Sequence, residues 1–204
     1  MTRIVPLRTG WDPAAGGAEA YPADLPAEWR LSYFANAHWG ALVPSAIWRR
    51  TALDQLRAWV ADTPPRFRFF LDLDRDLDRG DPQGPLDSVC NALGDRLGGV
   101  VAPRSVLLAL ADASLPRLLR VPPDGVGPDP LPGVGSAWDV PAPLIRDLRG
   151  ARAWVEDRAG ALDTQPPDQT HGPGLAPPLA VLLGECRLED LGRWQTMLEL
   201  MGLA

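Results

Sequence analysis

Lysine is missing altogether: the 20 cationic side chains among 204 residues are all arginine. That absence removes Schiff-base chemistry, a phosphate-loop lysine and a lysine general base. Histidine and cysteine are scarce, with His38, His171, Cys90 and Cys186 the whole supply. The two cysteines form no C-x-x-C pair, and with two histidines they are too few and too far apart to suit zinc. They read as buried reduced thiols, and no metal or other cofactor is expected. Long hydrophobic runs are absent as well. The longest uninterrupted one is Val106 to Ala111, against the roughly 20 residues that span a bilayer. Met1 to Gly10 alternates polar and apolar residues, which is not a secretory pattern. These features predict a soluble, cytoplasmic protein that makes no membrane contact.

A basic stripe is also lacking. Net charge is −6 and the arginines are scattered among aspartates, so the clustered cations that displace counterions from nucleic acid are not there. What is present is a chain 46% hydrophobic, enough for one domain spanning residues 1–204 with a substantial core. Proline (23) and glycine (20) are abundant.

Short β-like runs alternate with helix-like stretches, an order that predicts an α/β fold with a mainly parallel sheet. Arg3–Leu7, Trp39–Val43, Phe67–Asp72, Val100–Ala102, Ser105–Leu110, Arg117–Val121 and Leu179–Leu183 read as strands. Pro26–Ala37 reads as a helix, and so does the stretch from Thr51 to Asp62, opened by a T-x-x-D capping box of Thr51 and Asp54. Leu86, Val89, Cys90, Leu93 and Leu97 make the best apolar stripe, with Gly98-Gly99 as its C-cap. Leu144 to Gly160 and Leu188 to Leu198 complete the helices, the last with Glu189 and Asp190 at its positive end. Pro122 to Pro143 carries seven prolines in 22 residues and reads as a loop, as does Asp163–Pro178.

The opening third carries a recognisable pattern. Tyr21, Pro22, Leu25 and Pro26 form a YP-x-x-LP motif, followed by Trp29 and Tyr33, then by Thr63, Pro64, Phe67 and Phe69 as TP-x-x-F-x-F. Over about residues 1–75 the sequence resembles the YecE-like family, domain of unknown function 72 (DUF72), in a divergent and shortened form. The resemblance implies a TIM-barrel-like fold, and the short chain points to an incomplete or degenerate (β/α)8 barrel. It also exposes departures. Where the family has V-E-I-N-S/T-F-Y after the second strand, this chain has Ala41, Leu42, Val43, Pro44, Ser45, Ala46, Ile47 and Trp48. Where the family tends to place a lysine on the third strand, Asp72 stands. The polar groups expected at the strand ends are lost, while Trp29 and Tyr33 keep their packing positions.

Candidate sites follow from the strand ends. The run Asp72, Asp74, Asp76, Asp78, Asp81 resembles a calcium loop but fails the D-x-D-x-D-G register from both Asp72 and Asp74, so it reads as a solvated acidic loop. Trp11 and Trp48 follow the first two strands and are expected near each other at the barrel mouth beside Asp72. There, with Asp72 and Asp74, they could line a ligand site or fill space. Glu185 follows the last strand, where Asp72 is its most plausible partner in a hydrolase-like carboxylate couple, the minimum for glycoside hydrolysis. His38 ends the first helix, where a cation is favoured, and His171 has no evident partner. The reading that results is a non-catalytic barrel with a degenerate site, one that binds a partner protein or self-associates. The alternative is a hydrolase-like enzyme using Asp72 and Glu185, with metal at Asp74 as a variant.

Overall fold

The computed structural model describes residues 3–13, 21–73, 83–110, 115–123, 131–163 and 179–203. Seven strands form the centre: β1 (Ile4–Thr9), β2 (Gly40–Val43), β3 (Arg68–Asp72), β4 (Leu97–Ala102), β5 (Arg117–Val121), β6 (Gly135–Asp139) and β7 (Leu179–Leu182). Every pairing is parallel and follows chain order, and β7 pairs back onto β1 to close the barrel. Around it lie α1 (Arg30–Ala37), α2 (Ser45–Trp48), α3 (Leu53–Ala61), α4 (Gln83–Leu93), α5 (Arg104–Ala109), α6 (Leu148–Asp163) and α7 (Leu188–Leu200). The expected TIM-barrel-like α/β architecture is therefore present, on seven strands rather than eight. Between β5 and β6 the described residues contain no helix. No described helix is long and apolar enough to cross a membrane.

Two expectations about the strands need correction. Ser105–Leu110 is not a strand: β4 stops at Ala102, Pro103 stands at the N-cap of α5, and its carbonyl accepts from the N–H groups of Val106 and Leu107. An uninterrupted apolar run has no period to betray it, and here burial falls on Val106, Leu107 and Leu110 at helical spacing. Conversely, a real strand, β6, runs through the proline-rich stretch read as loop. Gly135–Asp139 has one strong β-former, Trp138, among Gly, Ser, Ala and Asp, and neighbouring prolines hid it. The strand total agrees with the sequence only because one error offset the other.

Barrel closure on seven strands leaves a narrow interior. Alternate residues point inward, and the apolar filling is Leu7, Leu42, Phe70, Val101, Leu118, Ala137, Ala180 and Leu182. The opposite faces pack under the helices with Phe34, Leu56, Phe69, Leu71, Trp138 and Trp194 among the core residues. Phe70 is the largest inner side chain, and glycine makes its room: a Cβ on Gly98 would lie 2.6 Å from the Phe70 ring. The β3–β4 register shifts there, pairing Phe69 with Leu97 but Phe70 with Gly99. Gly98-Gly99 is thus an irregularity inside β4 and not a helix cap. The glycine that ends the α4 segment is Gly94, at φ +50°. The capping box is absent too. Ala52 is the N-cap of α3, Thr51 donates its hydroxyl back to the Ile47 carbonyl, and Asp54 pairs with Arg57 at 2.6 Å.

The motif residues of the opening third have structural work. Thr63 Oγ1 donates to the Trp59 carbonyl at 2.8 Å and closes α3, and the Phe67 N–H donates to Pro64 at 2.9 Å in the turn into β3. Phe67 and Phe69 are fully buried. Trp29 and Tyr33, however, are not core residues: both are exposed, and Tyr33 packs edge-on against Tyr21 at 5.6 Å.

Candidate functional site

In a parallel barrel the working end is the C-terminal rim of the strands. Parity carries the inward series Phe70, Leu118 and Ala137 up to Asp72, Arg120 and Asp139, one layer above the apolar filling. There the three side chains meet. Arg120 Nε and one Nη donate to the Asp139 carboxylate, each at 2.9 Å, and the other Nη donates to both Asp72 oxygens at 3.1 and 3.2 Å. The fork geometry of guanidinium suits this double grip. The hydrogen bonds to Asp139, then the charges of Asp72 and Asp139, hold the Arg120 pKa above the usual arginine range, against the opposing pull of burial. Two carboxylates against one guanidinium leave the cluster with a net negative charge.

Asp72 is therefore at the rim, as expected, but its partner is Arg120. Glu185 follows β7, is exposed, and makes no hydrogen bond or ion pair with a described residue. Trp48 is buried, and its indole N–H donates to the Asp72 backbone carbonyl at 3.0 Å, fixing the end of β3 from α2. Trp11 turns elsewhere. Its ring packs edge-on against Trp59 at 4.8 Å and against Phe69 at 6.3 Å, under the helical layer. Asp74 and the rest of the acidic run lie outside the described residues, as does His171. Among the described residues no group of three or more His, Cys, Asp or Glu side chains could hold a metal ion.

Beside the rim, Arg8 is almost wholly buried and donates to the carbonyls of Cys186 (2.8 Å), Gly10 (3.0 Å) and Asp12 (2.5 Å). It ties the turn after β1 to the turn after β7, across the barrel seam. Tyr21 donates its hydroxyl to the Trp11 carbonyl, and burial pushes its pKa up to about 12. Burial likewise raises Cys186 to about 11. His38 lies at the opposite end, before β2, with its ring 4.7 Å from Phe34, and burial pushes its pKa down to about 4. The cation favoured at a helix C-terminus is overruled by desolvation. Neither cysteine is in a disulfide and both are buried, in line with the reading of two buried thiols.

Sequence reasoning missed Arg120 and Asp139, the first because many arginines compete for notice and the second because β6 was hidden. One signal was available. Proline follows directly after β2 at Val43-Pro44 and after β4 at Ala102-Pro103, and each proline is the N-cap of the next helix. Val140-Pro141, just past Asp139, repeats that punctuation, with Pro141 at the N-cap of a 3-10 turn.

The fold and rim together define a closed parallel βα barrel whose described mouth is an Arg-centred ion cluster. Neither a protein-family model nor a curated protein matches the sequence. Solved structures do. A DUF72 family protein from Enterococcus faecalis V583 matches with a TM-score of 0.54 at 11% identity, covering 100% of this chain and 99% of its own. A DUF72 family protein from Thermotoga maritima MSB8 gives 0.56 at 10% identity, covering 97% and 99%. The chain thus has the fold of these DUF72 proteins over its whole length, beyond the third in which motifs resemble the family.

Proposed function

We propose that this is a divergent DUF72-type barrel of the cytoplasm that works by binding a protein partner, without catalysis at its mouth. The observation that carries the reading is the double grip of Arg120 on Asp72 and Asp139 above a filled barrel. Catalytic acids and bases need a pKa near the working pH and a free proton position. Both carboxylates here have their oxygens committed to a guanidinium. The described groups with large shifts, His38, Cys186 and Tyr21, are pushed away from neutrality by burial. The hydrolase alternative gains nothing from Glu185, which stands exposed and unpaired among the described residues.

The test is a panel of chromogenic glycosides, phosphate esters and carboxyl esters, assayed with the wild type and the Asp72→Asn/Asp139→Asn double variant. The expected result is no turnover that distinguishes the two proteins. Turnover by the wild type that the double variant lacks overturns the reading.

A further inference from the structure

The outer face of α7 carries a self-complementary surface. Asp190, Leu191, Trp194, Met197 and Leu198 are buried against the barrel. The opposite side presents Glu189, Gly192, Arg193, Thr196, Glu199 and Leu200, a stripe spaced by threes and fours along the helix. Leu200 is 85% exposed, the highest value among the described large hydrophobic side chains. Two turns earlier Gly192 leaves a hole: a Cβ built there meets nothing within 4 Å. Leu148 and Arg152 of α6 wall the other side of a groove of about 520 Å³ whose floor includes Met197 and Met201.

We propose that a second copy of this chain occupies the groove, the two α7 helices lying antiparallel about a two-fold axis beside Thr196. This inference deepens the partner-binding reading and rests on it, naming the partner and the surface. The register follows from counting outward from Thr196. Leu200 faces Gly192 of the partner subunit, so knob meets hole, and Arg193 faces Glu199 of the partner subunit. Symmetry makes each contact twice, as an isologous interface requires. Moving the axis to the level of Trp194 would set Glu189 against Glu199, like charge against like, and would lose the match. The absent side chain at Gly192 lets the helix axes approach closely, and the flexible methionines adapt to the incoming leucine. Arg193 pairs with Glu189 in its own helix and lies 3.8 Å from the buried Asp190, so its guanidinium sits at the edge of this face.

Sedimentation equilibrium over a concentration series tests the proposal. The wild type is expected to populate a dimer. Gly192→Leu fills the hole and should give a folded monomer whose melting no longer depends on concentration, because the Cβ has open space and leucine is the better helix former. Arg193→Glu should raise the dimer dissociation constant about tenfold, reversing two contacts at once, and Arg193→Glu/Glu199→Arg should restore it. A wild type that stays monomeric up to its solubility limit overturns the proposal. So does a Gly192→Leu dimer of unchanged affinity, or a double charge swap no better than the single one. Each of these leaves the chromogenic assay of the mouth as it was, so the two readings fail separately.

Discussion

Arg120 holds two carboxylates that would otherwise face each other at a partly buried rim. Exposed ion pairs contribute about 0–1 kcal/mol, while removing one member of a buried pair costs about 3–5 kcal/mol. Arg120 lies between these cases, with its side chain 37% exposed. Arg120→Met is therefore expected to lower unfolding stability by about 1–3 kcal/mol, measured by urea denaturation at neutral pH. Adding Asp72→Asn and Asp139→Asn to that variant should recover much of the loss, since the stranded charges go too. His38 supplies a second residue-scale effect. Its folded pKa of about 4 lies below the unfolded 6.5, chiefly through burial, with the charge of Arg8 adding to the lowering. The fold thus favours neutral imidazole. Its contribution is present in full above pH 6.5 and is withdrawn as pH falls toward 4, by a total of about 3 kcal/mol. Denaturant titrations at stepped pH should show His38→Leu losing less stability than the wild type across that window.

Among the elements, β4 shows how local sequence yields to packing. Gly98 lies under the Phe70 ring, so Gly98→Ala forces a side chain into occupied space and should cost about 1–3 kcal/mol. Phe70→Leu in the same chain relieves the clash, and a double-mutant cycle in urea should return a favourable coupling between the two sites. The glycine pair could be seen in the sequence, but its job could not. A glycine after an apolar stripe reads as a cap, and only the neighbouring strand reveals that an aromatic ring needs the vacancy. Six of the seven strands were nonetheless legible, because β-branched and leucine runs bounded by proline or glycine have few other uses. The seventh was not, because Gly-Ser-Ala-Trp-Asp has no such signature, and its loss concealed Asp139. At the mouth, Asp72 could be placed because it ends a legible strand at a position that the family resemblance puts on a barrel rim. Arg120 also sat on a strand that had been identified, but nothing local distinguishes a rim arginine from an exposed one. A three-way contact among β3, β5 and β6 depends on closure, and closure is a property of the sheet rather than of any segment.

Taken as a whole, the molecule is a ring of hydrogen bonds in which each strand has two neighbours, with β1 held on one side by β2 and on the other by β7. The seam is reinforced at both ends. Arg8 joins the turns above it, and the Ile4 N–H donates to the Leu203 carbonyl at 2.7 Å beneath it. For a chain emerging from the ribosome, this order has a cost. The first strand made must wait for the last before its second ladder forms, so β1 is an open edge through most of synthesis and β6 joins it as the other edge until β7 is made. Such edges are templates for pairing with the wrong chain. The nascent protein is therefore most vulnerable to aggregation just before Leu179–Leu182 appears, and a pause in translation upstream of that segment would prolong its exposure.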